Sequence, residues 1–134
     1  DNTVLQIGIG KDNENTFDLP ENHQDYGKNV AAYYFFLFPN MMFNFYPWGL
    51  SVNVVKPKSP EETQIEYFTY VWKEELMEKG AGSGLDKVEL EDEEIVESVQ
   101  KGIKSKAYDR GRYSPRREIG VYYFHKLIQK YYWF

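Results

Sequence analysis

Between Val30 and Val55 aromatic and β-branched residues occupy both odd and even positions, in Ala31-Ala32-Tyr33-Tyr34-Phe35-Phe36-Leu37-Phe38, Met41 to Tyr46 and Leu50 to Val55. Pro39-Asn40 and Pro47-Trp48-Gly49 break this block at intervals too short for a helix, so it reads as successive strands covered on both faces, or nearly so. Thr3-Val4-Leu5-Gln6-Ile7-Gly8-Ile9 supplies an earlier strand. Gln64-Ile65-Glu66-Tyr67-Phe68-Thr69-Tyr70-Val71-Trp72 supplies a later one, after a polar turn from Lys56 to Glu62. Strands linked by connections this short pair in the antiparallel sense, because a parallel pair needs a crossover of a dozen residues or more. The polar, Asn- and Asp-rich stretch from Gly10 to Gly27, interrupted by Pro20, is expected to be a long loop.

Beyond the flexible connection Lys79-Gly80-Ala81-Gly82-Ser83-Gly84 the apolar period changes to that of a helix. A first helix is expected from about Glu91 to Ala107, with Glu97 and Lys101 spaced as an ion pair on its wet face. After the turn Asp109-Arg110-Gly111-Arg112-Tyr113, a second helix starts with Ser114 as N-cap and Pro115 at its first position, and continues towards Tyr132. Its stripe of Gly120, Phe124, Leu127 and Tyr131 would lie on the sheet. Strands first and helices last give an α+β class, an antiparallel sheet packed by C-terminal helices, in a single domain over residues 1–134.

On the first helix one acid stands out. Residues advance by about 100° each, which puts Asp92 within roughly 40° of Val96, Val99 and Ile103, on the side opposite Glu94, Glu97, Lys101 and Lys104. A carboxylate aimed at an interior needs a cation, a hydrogen bond or a metal. On spacing alone an N-cap, or an acid favourable to the helix dipole, is a commoner explanation of such a residue than a metal ligand. Gln100 lies about 80° round the same helix and borders the same space, as an ordinary core-edge amide or a pocket residue. His23 reads as a solvated loop residue and His125 as a marginal packing residue, and neither has a second histidine at ligand spacing. Tyr33, Tyr34, Phe36, Met42, Phe43, Phe45 and Trp48 would fill a core or line an apolar pocket. Arg110, Arg112, Arg116 and Arg117 form a basic patch suited to solvent, to an anion, or to an acidic subunit surface.

Charge and composition exclude much else. A formal charge of -5, with basic residues otherwise scattered, argues against nucleic acid as a partner. The absence of cysteine removes disulfides, zinc-thiolate sites and an iron–sulfur cluster held by this chain itself. Ser-His constellations and phosphate loops are also missing. No apolar run has the length of a membrane span and no signal-peptide pattern opens the chain, so a soluble, cytoplasmic protein is expected. A start without Met, directly in a strand-like run, is what a portion of something longer would show.

Several segments together resemble the C-terminal part of the large-subunit catalytic domain of Rieske-type non-haem iron oxygenases, the ring-hydroxylating dioxygenase family. They are Phe38-Pro39-Asn40, the strand pair spanning Leu50 to Val71, Glu91-Asp92 followed by Val99-Gln100-Lys101-Gly102, and Gly111-Arg112-Tyr113-Ser114-Pro115 leading to Phe124-His125. The branch acting on choline, betaine and carnitine is the most similar in character. The resemblance implies a partial helix-grip (Bet v 1/START-like) fold. It makes Asp92 the carboxylate of a two-histidine, one-carboxylate site for mononuclear Fe(II), with Gln100 supporting that site or lining its pocket. It further implies a 2Fe-2S Rieske cluster in an N-terminal domain, a small organic substrate, dioxygen, a reductase or ferredoxin donor, and assembly as a trimer. The family's Rieske Cys and His pairs and its two iron-binding histidines have no counterpart here, so the chain alone is expected to be inactive. The rival expectation is a non-catalytic helix-grip module that binds a small apolar ligand or serves in subunit assembly.

Overall fold

The computed structural model describes residues 2–11 and 14–132, and of Asp86 the backbone only. Five strands, β1 (Thr3–Ile9), β2 (Val30–Leu37), β3 (Met41–Tyr46), β4 (Gly49–Ser59) and β5 (Glu62–Val71), pair in chain order as one antiparallel sheet. A short 3-10 turn, Glu74–Leu76, leads to α1 (Leu85–Ile103), and α2 (Ile119–Tyr132) follows. The α+β class expected from the sequence is the one observed.

Boundaries moved where tertiary pairing overrode local composition. The polar residues from Lys56 to Ser59 continue β4, and only Pro60 and Glu61 make the turn. Lys56 and Glu66 form a 2.6 Å ion pair across this extension, while Pro57, which cannot donate to the ladder, coincides with a register shift. Helix α1 begins earlier than expected, at Leu85, directly after Gly84 in the left-handed conformation at φ +62°. The Glu97–Lys101 pair is not formed; Lys87 and Glu91 pair on α1 instead, at 3.8 Å.

Alternation along the strands sorts side chains onto two faces. Both helices lie on the face carrying Val4, Phe36, Met42, Asn53 and Tyr67, which are register partners in one row across the sheet. Helix α2 takes the β1 edge. Phe124 meets Phe36 and Phe38 with ring centroids 5.2 and 6.1 Å apart, Tyr131 stacks on Phe38 at 5.3 Å, and Leu127 is 2% exposed. A Cβ on Gly120 would come within 3.2 Å of Val4, so the bare backbone permits this close approach. The expected α2 stripe is therefore the one that packs.

The core proper sits at the other end, where Ala32, Tyr46 and Trp48 are buried beneath Leu76, Met77, Ala81 and Leu85. Tyr46 and Trp48 stack at 5.2 Å, and the Trp48 indole donates to the Ala81 carbonyl at 3.2 Å. Gly82, at φ +79°, lies so close that a Cβ would fall 2.9 Å from both rings.

Coverage of both sheet faces, expected from the apolar block, is not found. Away from the helices Phe35, Leu37, Phe43, Phe45 and Thr3 line an open apolar hollow of about 350 Å³. Among the described residues only the Tyr33 end of that face is roofed, by the loop from Glu14 to Lys28 through Phe17 and Asp25. Among the described residues no helix is long and apolar enough to cross a membrane.

Candidate functional site

Helix α1 runs antiparallel to β5 and touches it lightly. Leu85 joins the Trp48 cluster at one end, the Tyr67 hydroxyl donates to Glu93 at 3.3 Å midway, and Lys104 pairs with Glu61 at 2.7 Å at the other end. Leu85, Glu89, Glu93, Gln100 and Lys104 therefore mark the side of α1 turned to the sheet. Its apolar stripe is left uncovered, with Val88, Ile95, Val96 and Val99 50 to 65% exposed.

Asp92 sits on that stripe, about 100° round the helix from Glu93, and is exposed. It forms no ion pair or hydrogen bond among the described residues, although its charge contributes to raising the Tyr67 pKa. A helix that starts at Leu85 places Asp92 well inside its body, which removes the N-cap explanation. Gln100 is half-buried on the sheetward side.

Between the helices, the sheet offers a floor that sequence inspection did not find. Gln6, Tyr34, Asn44, Ser51 and Thr69 are mutual register partners and make one neutral polar row across all five strands. Ser51 is fully buried and its hydroxyl donates to Asn53 at 3.0 Å. Asn44, half-buried in the middle strand, has no side-chain hydrogen bond among the described residues. A small hollow of about 100 Å³ opens beside Thr69, Trp48, Met77 and Leu85. The row was invisible in the sequence because its members are spaced by strand length and turn geometry, with no local period.

Electrostatically the β5 side of this floor is negative. Burial, then Glu93 and Glu89, push the Tyr67 hydroxyl up to about 12. Burial foremost, with Tyr34 and Glu89, also raises Tyr46.

The remaining candidates lie elsewhere. His125 is hydrogen-bonded to Tyr113 and packed edge-on against it, on α2. His23, expected to be solvated, is half-buried and accepts the Asp25 amide at 3.1 Å. Asp25, only 3% exposed, accepts from Lys28 at 2.8 Å and from Tyr33 at 3.1 Å. The Lys28 ammonium is the main reason its carboxyl lies below the usual range, while burial and this carboxylate raise Tyr33. Arg110, Arg112, Arg116 and Arg117 are all exposed, as the sequence suggested, and Arg110 pairs with the adjacent Asp109.

Iron was expected from the resemblance, and the residues present do not hold it by themselves. Among the described residues no three His, Cys, Asp or Glu side chains cluster as metal ligands, and both histidines have other partners. The carboxylate singled out by the resemblance, Asp92, has no ion-pair or hydrogen-bond partner among the described residues, as is also true of Glu94 and Glu97 on the same helix.

Residues 10–133 match the family described as "Ring hydroxylating alpha subunit (catalytic domain)". The chloroplastic choline monooxygenase of Arabidopsis thaliana is 37% identical over 102 residues, covering 72% of this chain and 24% of that protein. That of Atriplex hortensis is 36% identical over 72% of this chain and 23% of its own length. The carnitine monooxygenase oxygenase subunit of Escherichia coli (strain K12) is 33% identical over 139 residues, covering 95% of this chain and 36% of that protein. The chain thus spans between about a quarter and just over a third of these curated relatives. No solved structure gives a significant match.

Proposed function

This chain belongs to the ring-hydroxylating oxygenase alpha-subunit family, and from that membership we propose that it is the distal part of a catalytic domain whose parent hydroxylates a small organic substrate. Asp92 is its contribution to a mononuclear Fe(II) site, and the two imidazole ligands belong to sequence outside this chain. Bound iron would activate dioxygen, with electrons arriving from a 2Fe-2S Rieske cluster supplied by a reductase or ferredoxin. Assembly as a trimer is part of the same proposal.

The observation that carries the reading is the setting of Asp92. A right-handed helix lying antiparallel to β5 on this face turns the flank one residue before Glu93 towards α2, over the open floor. The carboxylate is thus presented, unpaired, to the space a ligand and its missing partners would fill. Val96, Val99 and Ile103 on the same flank would then be covered by those partners, which accounts for an apolar stripe that nothing among the described residues buries. Gln100, sheetward on the same helix about 12 Å further along its axis, would line the far end of the same pocket and offer its amide to a ligand there.

Choline and carnitine, named in two relatives, share a trimethylammonium group, so the proposed substrate class is a small quaternary amine. The test is made in the full-length oxygenase: Asp92→Ala should empty the mononuclear site by elemental analysis and leave the cluster's absorbance unchanged. Full iron occupancy with normal turnover would remove Asp92 from the ligand set. This chain alone, given Fe(II), a chemical reductant and dioxygen, should hydroxylate nothing.

A further inference from the structure

The floor between the helices has a charge pattern that distinguishes among quaternary amines. The strands contribute to it the neutral row Gln6, Tyr34, Asn44, Ser51 and Thr69, and beside it Met42, Asn53 and Tyr67. No Lys, Arg or His occurs among the strand residues on this face. Helix α1 turns Glu89 and Glu93 towards it, with Glu93 hydrogen-bonded to Tyr67 at 3.3 Å, and the one lysine on that side, Lys104, is held at the far end by Glu61.

We propose that this floor takes a small organic cation with a neutral hydrogen-bonding tail, such as a hydroxyl, and discriminates against one whose tail is a carboxylate. The inference rests on the quaternary-amine reading above and narrows it. A trimethylammonium group is attracted by ring faces and by carboxylates, which Tyr67, Tyr34 and the two acids of α1 supply together. A carboxylate on the same molecule would be desolvated over a neutral floor, near two like charges and with no basic strand residue on this face to pair with. Asn44 is the residue that reads the tail. Its amide stands half-buried at the centre of the floor without a partner among the described residues, and it can donate to a hydroxyl or accept from one. Selectivity then comes as much from the penalty on the anionic tail as from contacts to the neutral one.

The experiment uses the full-length, iron-loaded oxygenase and isothermal calorimetry under anaerobic conditions, with choline, carnitine, glycine betaine and tetramethylammonium. Choline should bind at least about tenfold more tightly than carnitine or betaine. Glu93→Gln, an exposed change that leaves the fold intact, should weaken choline and tetramethylammonium alike by about fivefold. Asn44→Leu should weaken choline by about tenfold and leave tetramethylammonium unchanged, because that probe has no tail. Binding of a carboxylate-tailed compound as tight as choline, or an equal effect of Asn44→Leu on both probes, overturns the inference while the oxygenase reading stands. If no trimethylammonium compound binds to enzyme with full iron occupancy, the substrate class itself falls, and this inference with it.

Discussion

Helices α1 and α2 lie on the same face of one sheet, and the chain treats them differently. Helix α2 seats its whole apolar stripe on β1, β2 and Phe38. The stripe of α1 rests on nothing among the described residues, and the helix is held by a leucine on the Trp48 cluster, one hydrogen bond to Tyr67 of β5 and an exposed ion pair to Glu61 in the β4–β5 turn. A packed stripe explains itself by stability. An unpacked stripe carrying an unpaired acid is not explained by the fold of this chain, and on the proposed reading the contrast gives structure to α2 and function to α1.

The sharpest test of this division is loss of function without loss of fold. Asp92→Ala should lower turnover of the full-length oxygenase by at least about 100-fold, beyond what changes around a metal ligand do. In this chain by itself, the same change should move the urea midpoint by less than the equivalent of about 0.5 kcal/mol, since the side chain is exposed. A large stability loss would mean that Asp92 holds α1 in place, and the assignment would reverse.

Next in size is the packing comparison. Leu127→Ala should destabilise this chain by about 2–5 kcal/mol, measured by equilibrium denaturation. Val99→Ala on α1 should cost under about 0.5 kcal/mol. Equal losses would show that both stripes are buried in solution.

A smaller effect, read as a pH dependence, concerns the loop over β2. Lys28 holds the Asp25 carboxyl below its ordinary range. The resulting stability is therefore fully present above the unfolded pKa of about 3.9 and disappears as pH falls through the lower native value. Asp25→Asn should flatten the acid limb of a thermal-melt series below about pH 4 and leave neutral pH little changed in slope. The smallest effect belongs to the far end of α1. Breaking the exposed Lys104–Glu61 pair with Glu61→Gln should cost no more than about 1 kcal/mol, and less in high salt.

Much of this division could be read from the residues. The strand breaks at Pro39-Asn40 and Pro47-Trp48-Gly49, and the Gly120, Phe124, Leu127 and Tyr131 stripe, are local patterns, and they fold as their chemistry directs. The unexpected continuation of β4 through Lys56 depends on a partner strand, which no local pattern encodes. Asp92 was conspicuous because helical geometry makes a misplaced acid visible. The polar floor was not, because Gln6 and Thr69 become neighbours of Asn44 and Ser51 in one row only when five strands settle into register. The open outer face was missed for a related reason: an apolar strand shows that it is coverable without showing what covers it.

Gly82 and Leu85 clamp the start of α1 onto Trp48, one hydrogen bond from Tyr67 steadies it at Glu93, and the far end hangs on one solvated ion pair. Mechanically that is a cantilever. Asp92 stands about 10 Å from the clamp and Ile103 about 27 Å, at 1.5 Å per residue. A swing that shifts the lightly held tip therefore shifts the carboxylate by at most about two fifths as much. The tip can accommodate partners of different bulk while the acid near the root keeps its aim.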